Sequence, residues 1–293
     1  MIKQNVFQQK WFLYAVITTM SWGIWGALIE ITEKAGFPAT LGYVVWALTM
    51  VPCAIIALRL SKIRLEYSLQ QIGYGMLVGL TGAGGQLILF QALREGPAYI
   101  IFPIISLSPV ITIVLSLLFL KERTSIRGWI GIVMALVAIF LLSYSKSDSN
   151  GIDNYLWLIL SSLVFFAWGT QAVFMKLANT KMRAESIFAY MAISAVLLIP
   201  GALLLTDFSA DINYGFKGPY LAAMIQVLNS IGALFLVFAL RHGKAIIVSP
   251  MTNALSPIIT IIISLAIYAM FPSTLMIVGM VLAITAIYLF SFE

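Results

Sequence analysis

Residues 107–117 read LSPVITIVLSL, and residues 255–265 read LSPIITIIISL. The copies lie 148 positions apart in a chain of 293 residues. A phrase repeated at half the chain length divides the sequence into two related halves, 1–147 and 148–293. Whatever one half folds into, the other must fold into as well, and the two must meet.

The phrase is embedded in apolar sequence of membrane-spanning length. A spanning helix needs about 20 predominantly apolar residues. Ten segments qualify, at about 11–31, 38–58, 69–92, 98–120, 126–145, 154–175, 186–206, 217–240, 244–269 and 273–291. Hydrophobic residues make up 61% of the chain and charged residues 10%, against roughly 25% charge in a soluble domain. Too little polar surface remains to coat a globule. The expected fold class is an all-α polytopic membrane protein of ten transmembrane helices. The run after the basic N-terminus is long and lacks a small-residue cleavage site, so it reads as a retained first span. The single cysteine, Cys53, cannot form an internal disulfide.

Five spans per half is an odd number, so the second half enters the membrane upside down. Inverted repeats of this kind belong to secondary transporters, with the substrate site at the repeat interface near the bilayer midplane. The register runs well beyond the opening phrase. Ser21-Trp22-Gly23 matches Ala167-Trp168-Gly169 at an offset of 146. Ala92-Leu93-Arg94 matches Ala239-Leu240-Arg241 at 147, as do Gly96 with Gly243 and Pro103 with Pro250. Pro109 and Pro257 lie 148 apart. Composition alone explains matched Leu and Ile, not matched Trp-Gly, Ala-Leu-Arg and prolines.

Ten spans put both termini on one side. Thirteen of the 17 lysines and arginines then fall on that side, and Lys34, Arg94, Lys146 and Lys217 on the other. The positive-inside rule places both termini in the cytoplasm. The net charge of +6 therefore has a membrane explanation, and no nucleic-acid partner is expected.

Several residues within the spans are candidates for a functional site. Pro103 and Pro109 in span 4, and Pro250 and Pro257 in span 9, each remove a backbone hydrogen bond. In a bilayer the freed carbonyl needs a partner or a wet cavity, which makes spans 4 and 9 candidates for lining a pathway or acting as helix breaks. They carry Ser106, Ser108, Asn253 and Ser256. Intramembrane polar residues are functional candidates by default, which adds Gln86, Gln171, Gln226 and Asn229. Interhelical hydrogen bonding is the competing role. Trp22, Trp25 and Trp168 lie toward mid-span, away from the interfacial belts, whereas Trp11, Trp129 and Trp157 near span ends are expected to anchor at the interface. Aromatic walls with a few amides suit a neutral or zwitterionic organic solute. Glu30 and Lys176 correspond at offset 146 and end spans 1 and 6. They are gate candidates or plain helix-end charges. The glycines of span 3 permit close helix approach.

The sequence resembles the drug/metabolite transporter superfamily, EamA type. The resemblance rests on ten spans, two five-span repeats, and Trp-Gly in the first span of each half. It also rests on Leu120-Lys121-Glu122-Arg123-Thr124 after span 4, similar to the family's Gly-Glu-Arg turn, followed by Gly128 and Gly131. The arginine often found in the family's span 2 is absent, and Trp46 lies in that region. A glutamate expected after span 9 is replaced by Phe271-Pro272. The resemblance implies carriage of small metabolites, most often outward, including amino acids and amphipathic toxic compounds.

The leading expectation is a secondary transporter, an exporter of a small organic metabolite such as an amino acid. It would work by alternating access in a bacterial-type cytoplasmic (inner) membrane. Export of amphipathic drugs or cations, and a structural membrane subunit without transport, are the alternatives. An enzyme would want clustered acids, histidines or a metal site. The one histidine, His242, stands beside Arg241, and no carboxylate pair lies mid-span. No GxxxxGK[ST] phosphate loop is present. The expected partners are a small-molecule substrate and the lipid bilayer. No cofactor and no metal are expected, and monomer and homodimer both stay open.

Overall fold

Uninterrupted apolar sequence gives helices here, because a helix satisfies its own backbone groups within one segment. The computed structural model describes residues 9–96, 98–143, 155–268, 273–290 and 292–293. Phe271 and Pro272 lie outside them. Among the described residues the chain forms twelve α-helices and two π-helical turns. The first half holds α1 (Lys10–Lys34), α2 (Ala39–Leu60), α3 (Leu69–Glu95), α4 (Ala98–Ser106), α5 (Pro109–Leu115) and α6 (Ile126–Ser143). The second holds α7 (Leu156–Ala178), α8 (Ala184–Leu197), α9 (Ile199–Leu204), α10 (Leu221–His242), α11 (Ala245–Tyr268) and α12 (Thr274–Phe290).

These make ten crossings. Eight are helices long and apolar enough to span; Ile104–Leu120 and Thr274–Phe290 are shorter apolar helices. The fourth crossing combines α4, α5 and the π turn Ser116–Leu120, and the seventh combines α8 and α9. Pro200 opens α9 at its first turn, a position where a missing N–H does little harm.

The paired prolines act differently in the two halves. Span 4 breaks: Leu107 and Ser108 donate to the Ile104 and Ile105 carbonyls in tight three-residue turns, and Pro109 restarts the helix. Span 9 stays one helix through both Pro250 and Pro257. Polar side chains bond back to the helix between the two prolines. Thr252 Oγ1 donates to Val248 O at 3.0 Å, and Asn253 Nδ2 to Ser249 O at 2.9 Å.

The helices pack as an exchanged pair. α1 lies against α10 and α11 of the other half, and α7 lies against α3, α4 and α5 of the first. Atomic contacts repeat with the sequence offsets. Trp22 Nε1 donates to Asn229 O at 3.3 Å, and Trp168 Nε1 to Gly82 O at 3.2 Å. Thr260 Oγ1 donates to Gly23 O at 3.0 Å, and Thr112 Oγ1 to Gly169 O at 2.8 Å. A Cβ on Gly232 would stand 2.4 Å from the Trp22 ring, and one on Gly85 2.5 Å from that of Trp168. Both sites accept only glycine without a shift of the indole.

Two expected interface anchors are not at the interface. Trp11 and Trp157 are buried, at 8% and 5% exposure, against Gly243 and Gly96 respectively. They too are repeat partners, at offset 146, and their glycines at 147. Internal packing between the repeats takes them out of the lipid. Trp129, at 39% exposure, does face outward.

Candidate functional site

Where the two repeats meet lies a partly open cavity of about 520 Å³. Its size falls within the usual range for small-molecule sites, ~300–1,000 Å³. α1 contributes Trp22 and Trp25, and α3 contributes Gln86 beside Gly79 and Gly82. Ser108 enters from the break in span 4, and Trp168 and Gln171 from α7. α10 adds Asn229, and α11 adds Asn253, Ser256 and Pro257. Ser106 is not among the lining residues. It is the last residue of α4, half-buried, immediately before the break. Pro109 and Pro250 are buried beside the cavity rather than in its wall, and Pro103 sits within α4. Glu30 and Lys176 are not among the lining residues; each lies near the C-terminal end of its helix.

The amides divide by whether the protein already uses them. Gln226 is fully engaged: its Oε1 accepts from Trp25 Nε1 at 2.9 Å and from Asn229 Nδ2 at 3.4 Å, and its Nε2 donates to Gly42 O at 3.2 Å. It holds Trp25 in place and ties α1, α2 and α10 together. Asn253 donates to its own helix. Gln171 Nε2 donates to Val78 O at 3.2 Å, crossing over Gly82, where a Cβ would stand 2.1 Å from that nitrogen. Gln86, in the same wall, makes no hydrogen bond through its amide. Ser256 Oγ and Trp46 Nε1, both from lining residues, are buried without a partner. Buried polar atoms of this kind are normally satisfied, so each exception invites an explanation.

No Asp, Glu, Lys, Arg or His is found among the described lining residues. Four tryptophans, four carboxamides and several hydroxyls compose the polar and aromatic part of the wall. Such a wall can stack a flat or aliphatic body and exchange neutral hydrogen bonds. It offers no group for proton transfer or for covalent chemistry on an activated nucleophile.

Sequence reasoning passed over Trp46, Met50, Met175, Met191, Ser249, Thr252 and Thr260, all of which line the cavity. Trp46 carried the same signal as Trp22, a tryptophan far from either span end. Thr260 carried the repeat signal, being the partner of Thr112 at offset 148. The methionines carried none, since a flexible apolar side chain in an apolar span is normal core filling.

The charged turn after span 4 has a defined job. Glu122 accepts from the backbone N–H of Ala245 at 3.1 Å and of Ile246 at 3.0 Å, capping the N-terminus of α11. A carboxylate there meets both the free N–H groups and the positive end of the helix dipole. Lys121 takes φ 53°, the left-handed turn that aims the glutamate at the helix start.

An all-helical membrane protein with two interlocked repeats and an uncharged cavity at their junction is thereby defined. The EamA-like transporter family matches residues 9–144 and again 155–292, and the chain belongs to that family. An uncharacterized protein of Methanocaldococcus jannaschii is 36% identical over 97 residues, covering 33% of this chain and 70% of its own. A crystal structure superposes with a TM-score of 0.78 at 16% identity, covering 96% of each chain. That likeness speaks for the fold alone.

Proposed function

We propose that this chain is a secondary transporter that carries a small uncharged or zwitterionic organic metabolite, such as an amino acid. The reading places it in a bacterial-type cytoplasmic membrane with both termini inside, exporting its substrate by alternating access of the two repeats. The observation that carries it is the cavity itself: set between the two halves, walled by Trp22, Trp25, Trp46 and Trp168, and furnished with neutral amides and hydroxyls. A buried wall without ionised side chains disfavours a solute of net charge, because the charge would lose its water and gain no counter-charge. Amphipathic cations keep one argument, cation–π attraction to the tryptophans. The same composition argues against an enzyme.

The test is a thermal-shift screen of detergent-purified protein against amino acids, nucleosides, sugars and amphipathic cations. A ligand at 100 times its Kd stabilises the folded state by about 2.7 kcal/mol. The expected outcome is a shift with one uncharged or zwitterionic class, lost in Gln86→Ala and Trp22→Ala. A shift with cations alone would replace this substrate class. No shift with any class, together with no uptake or efflux by reconstituted protein, would sink the transport reading.

A further inference from the structure

Lys176 and Glu30 occupy matching positions in the two repeats, yet their surroundings differ. Lys176, half-buried near the end of α7, donates through Nζ to Leu240 O at 2.9 Å and to Gly243 O. Those carbonyls close α10, where the helix dipole presents its negative end and favours a cation. One turn further, Asn179 Nδ2 donates to Val237 O at 3.0 Å, and Arg241 Nη1 reaches back to Met182 O at 3.1 Å. Met175 and Leu240, both at 0% exposure, line the cavity directly above these bonds.

Among the described residues the equivalent ties are missing at the other end. By the repeat offsets, Glu30, Glu33 and Arg94 correspond to Lys176, Asn179 and Arg241. Glu30 pairs instead with Lys34 of its own helix at 2.8 Å, in an exposed i,i+4 bridge, and Arg94 donates to Leu205 O. α7 packs against α10, whereas among the described residues α1 and α3 share no packed interface. The tryptophan–glycine contacts obey the two-fold, and the polar ties of Lys176, Asn179 and Arg241 do not.

We propose that Lys176 is a latch. In this conformation it holds the end bearing the termini shut beneath the cavity, and Glu30 with Arg94 forms the alternate latch that closes the opposite end. The residue chemistry requires the change of partner. A carboxylate cannot accept from carbonyls, so Glu30 cannot close onto the end of α3 as Lys176 closes onto the end of α10. Arg94, at that helix end, supplies the donor that Glu30 needs. The latch rests on the alternating-access reading proposed above.

The experiment labels a cysteine placed at Ala233, which lines the cavity, in a Cys53→Ser background. A membrane-impermeant maleimide is applied to right-side-out and inside-out vesicles. The parent protein should label mainly from the side opposite the termini. Lys176→Met removes charge-assisted bonds, and labelling from the side of the termini should rise roughly tenfold. Lys176→Arg should restore most of the parent pattern, and Asn179→Ala, a milder change, should give a smaller rise. Glu30→Gln should not increase labelling from the side of the termini. Unchanged accessibility in Lys176→Met, or an equal rise in Glu30→Gln, would overturn the latch. Labelling needs no substrate, so its result separates from the ligand screen. A screen without ligands leaves the labelling outcome to judge the latch alone.

Discussion

Single residues at the repeat junction are fixed by how closely two backbones approach. Gly169 is the sharpest case. A Cβ there would stand 2.5 Å from Ile111 Cβ and 2.7 Å from Ser108 O. A backbone carbonyl cannot move aside as a flexible side-chain end can. Gly169→Ala is expected to cost about 1–3 kcal/mol of stability, the usual range for overpacking. Gly84, with no heavy atom within 4 Å of a built Cβ, is the control. Gly84→Ala should be neutral or stabilise by up to ~1 kcal/mol through helix propensity. Melting curves of the two purified variants check both, and equal loss in both would refute this packing. The sequence showed that Gly23 and Gly169 follow a tryptophan in each half. It could not show that they meet Ile259 and Ile111, because contacts between spans are not encoded by spacing along one helix.

At the scale of elements, the difference between spans 4 and 9 matters most. Equivalent prolines accompany a broken helix in span 4 and a continuous one in span 9. Ser108, at the break in span 4, lines the cavity, and Ser106 does not. α11 has a second support at its start, the Glu122 cap. Glu122→Ala should lower stability by about 1 kcal/mol, as loss of a helix N-terminal cap does. Glu122→Gln should recover only part of the loss, since an amide oxygen accepts but carries no charge for the dipole. An unaffected melting temperature in Glu122→Ala would show that water replaces the cap at no cost. The turn containing Glu122 was visible in the sequence as a family feature. Its partner lies 123 residues away along the chain, which no local pattern reveals.

For the molecule as a whole, the repeat predicts matched energetics. Trp22 and Trp168 make the same bond to a carbonyl of the opposite half and the same contact with a glycine. Trp22→Phe and Trp168→Phe should therefore each lose about 1 kcal/mol, the worth of one hydrogen bond. Their effects should add in the double variant, as they do for separated sites. Denaturation of the three variants tests this, and a large loss in only one would show that the halves carry unequal loads. Ligand affinity need not follow the symmetry. Position 25 is tryptophan where its partner, 171, is glutamine, so the two faces of the cavity differ chemically.

The sequence by itself determined the all-helical membrane fold, the ten crossings and the two-fold internal register. Apolar length decides where a chain can span, and a duplication leaves its offsets in the residues. It also supplied most of the polar and aromatic part of the cavity wall, since such residues stranded in mid-span have few places to go. Only the tertiary structure decided which amides are already engaged, as Gln226 is, and which stay open, as Gln86 does. It alone turned Trp11 and Trp157 inward, broke one proline-bearing span and kept the other whole. These outcomes depend on partners contributed by the opposite repeat, and a hydrogen bond or a close contact exists only once both halves have packed.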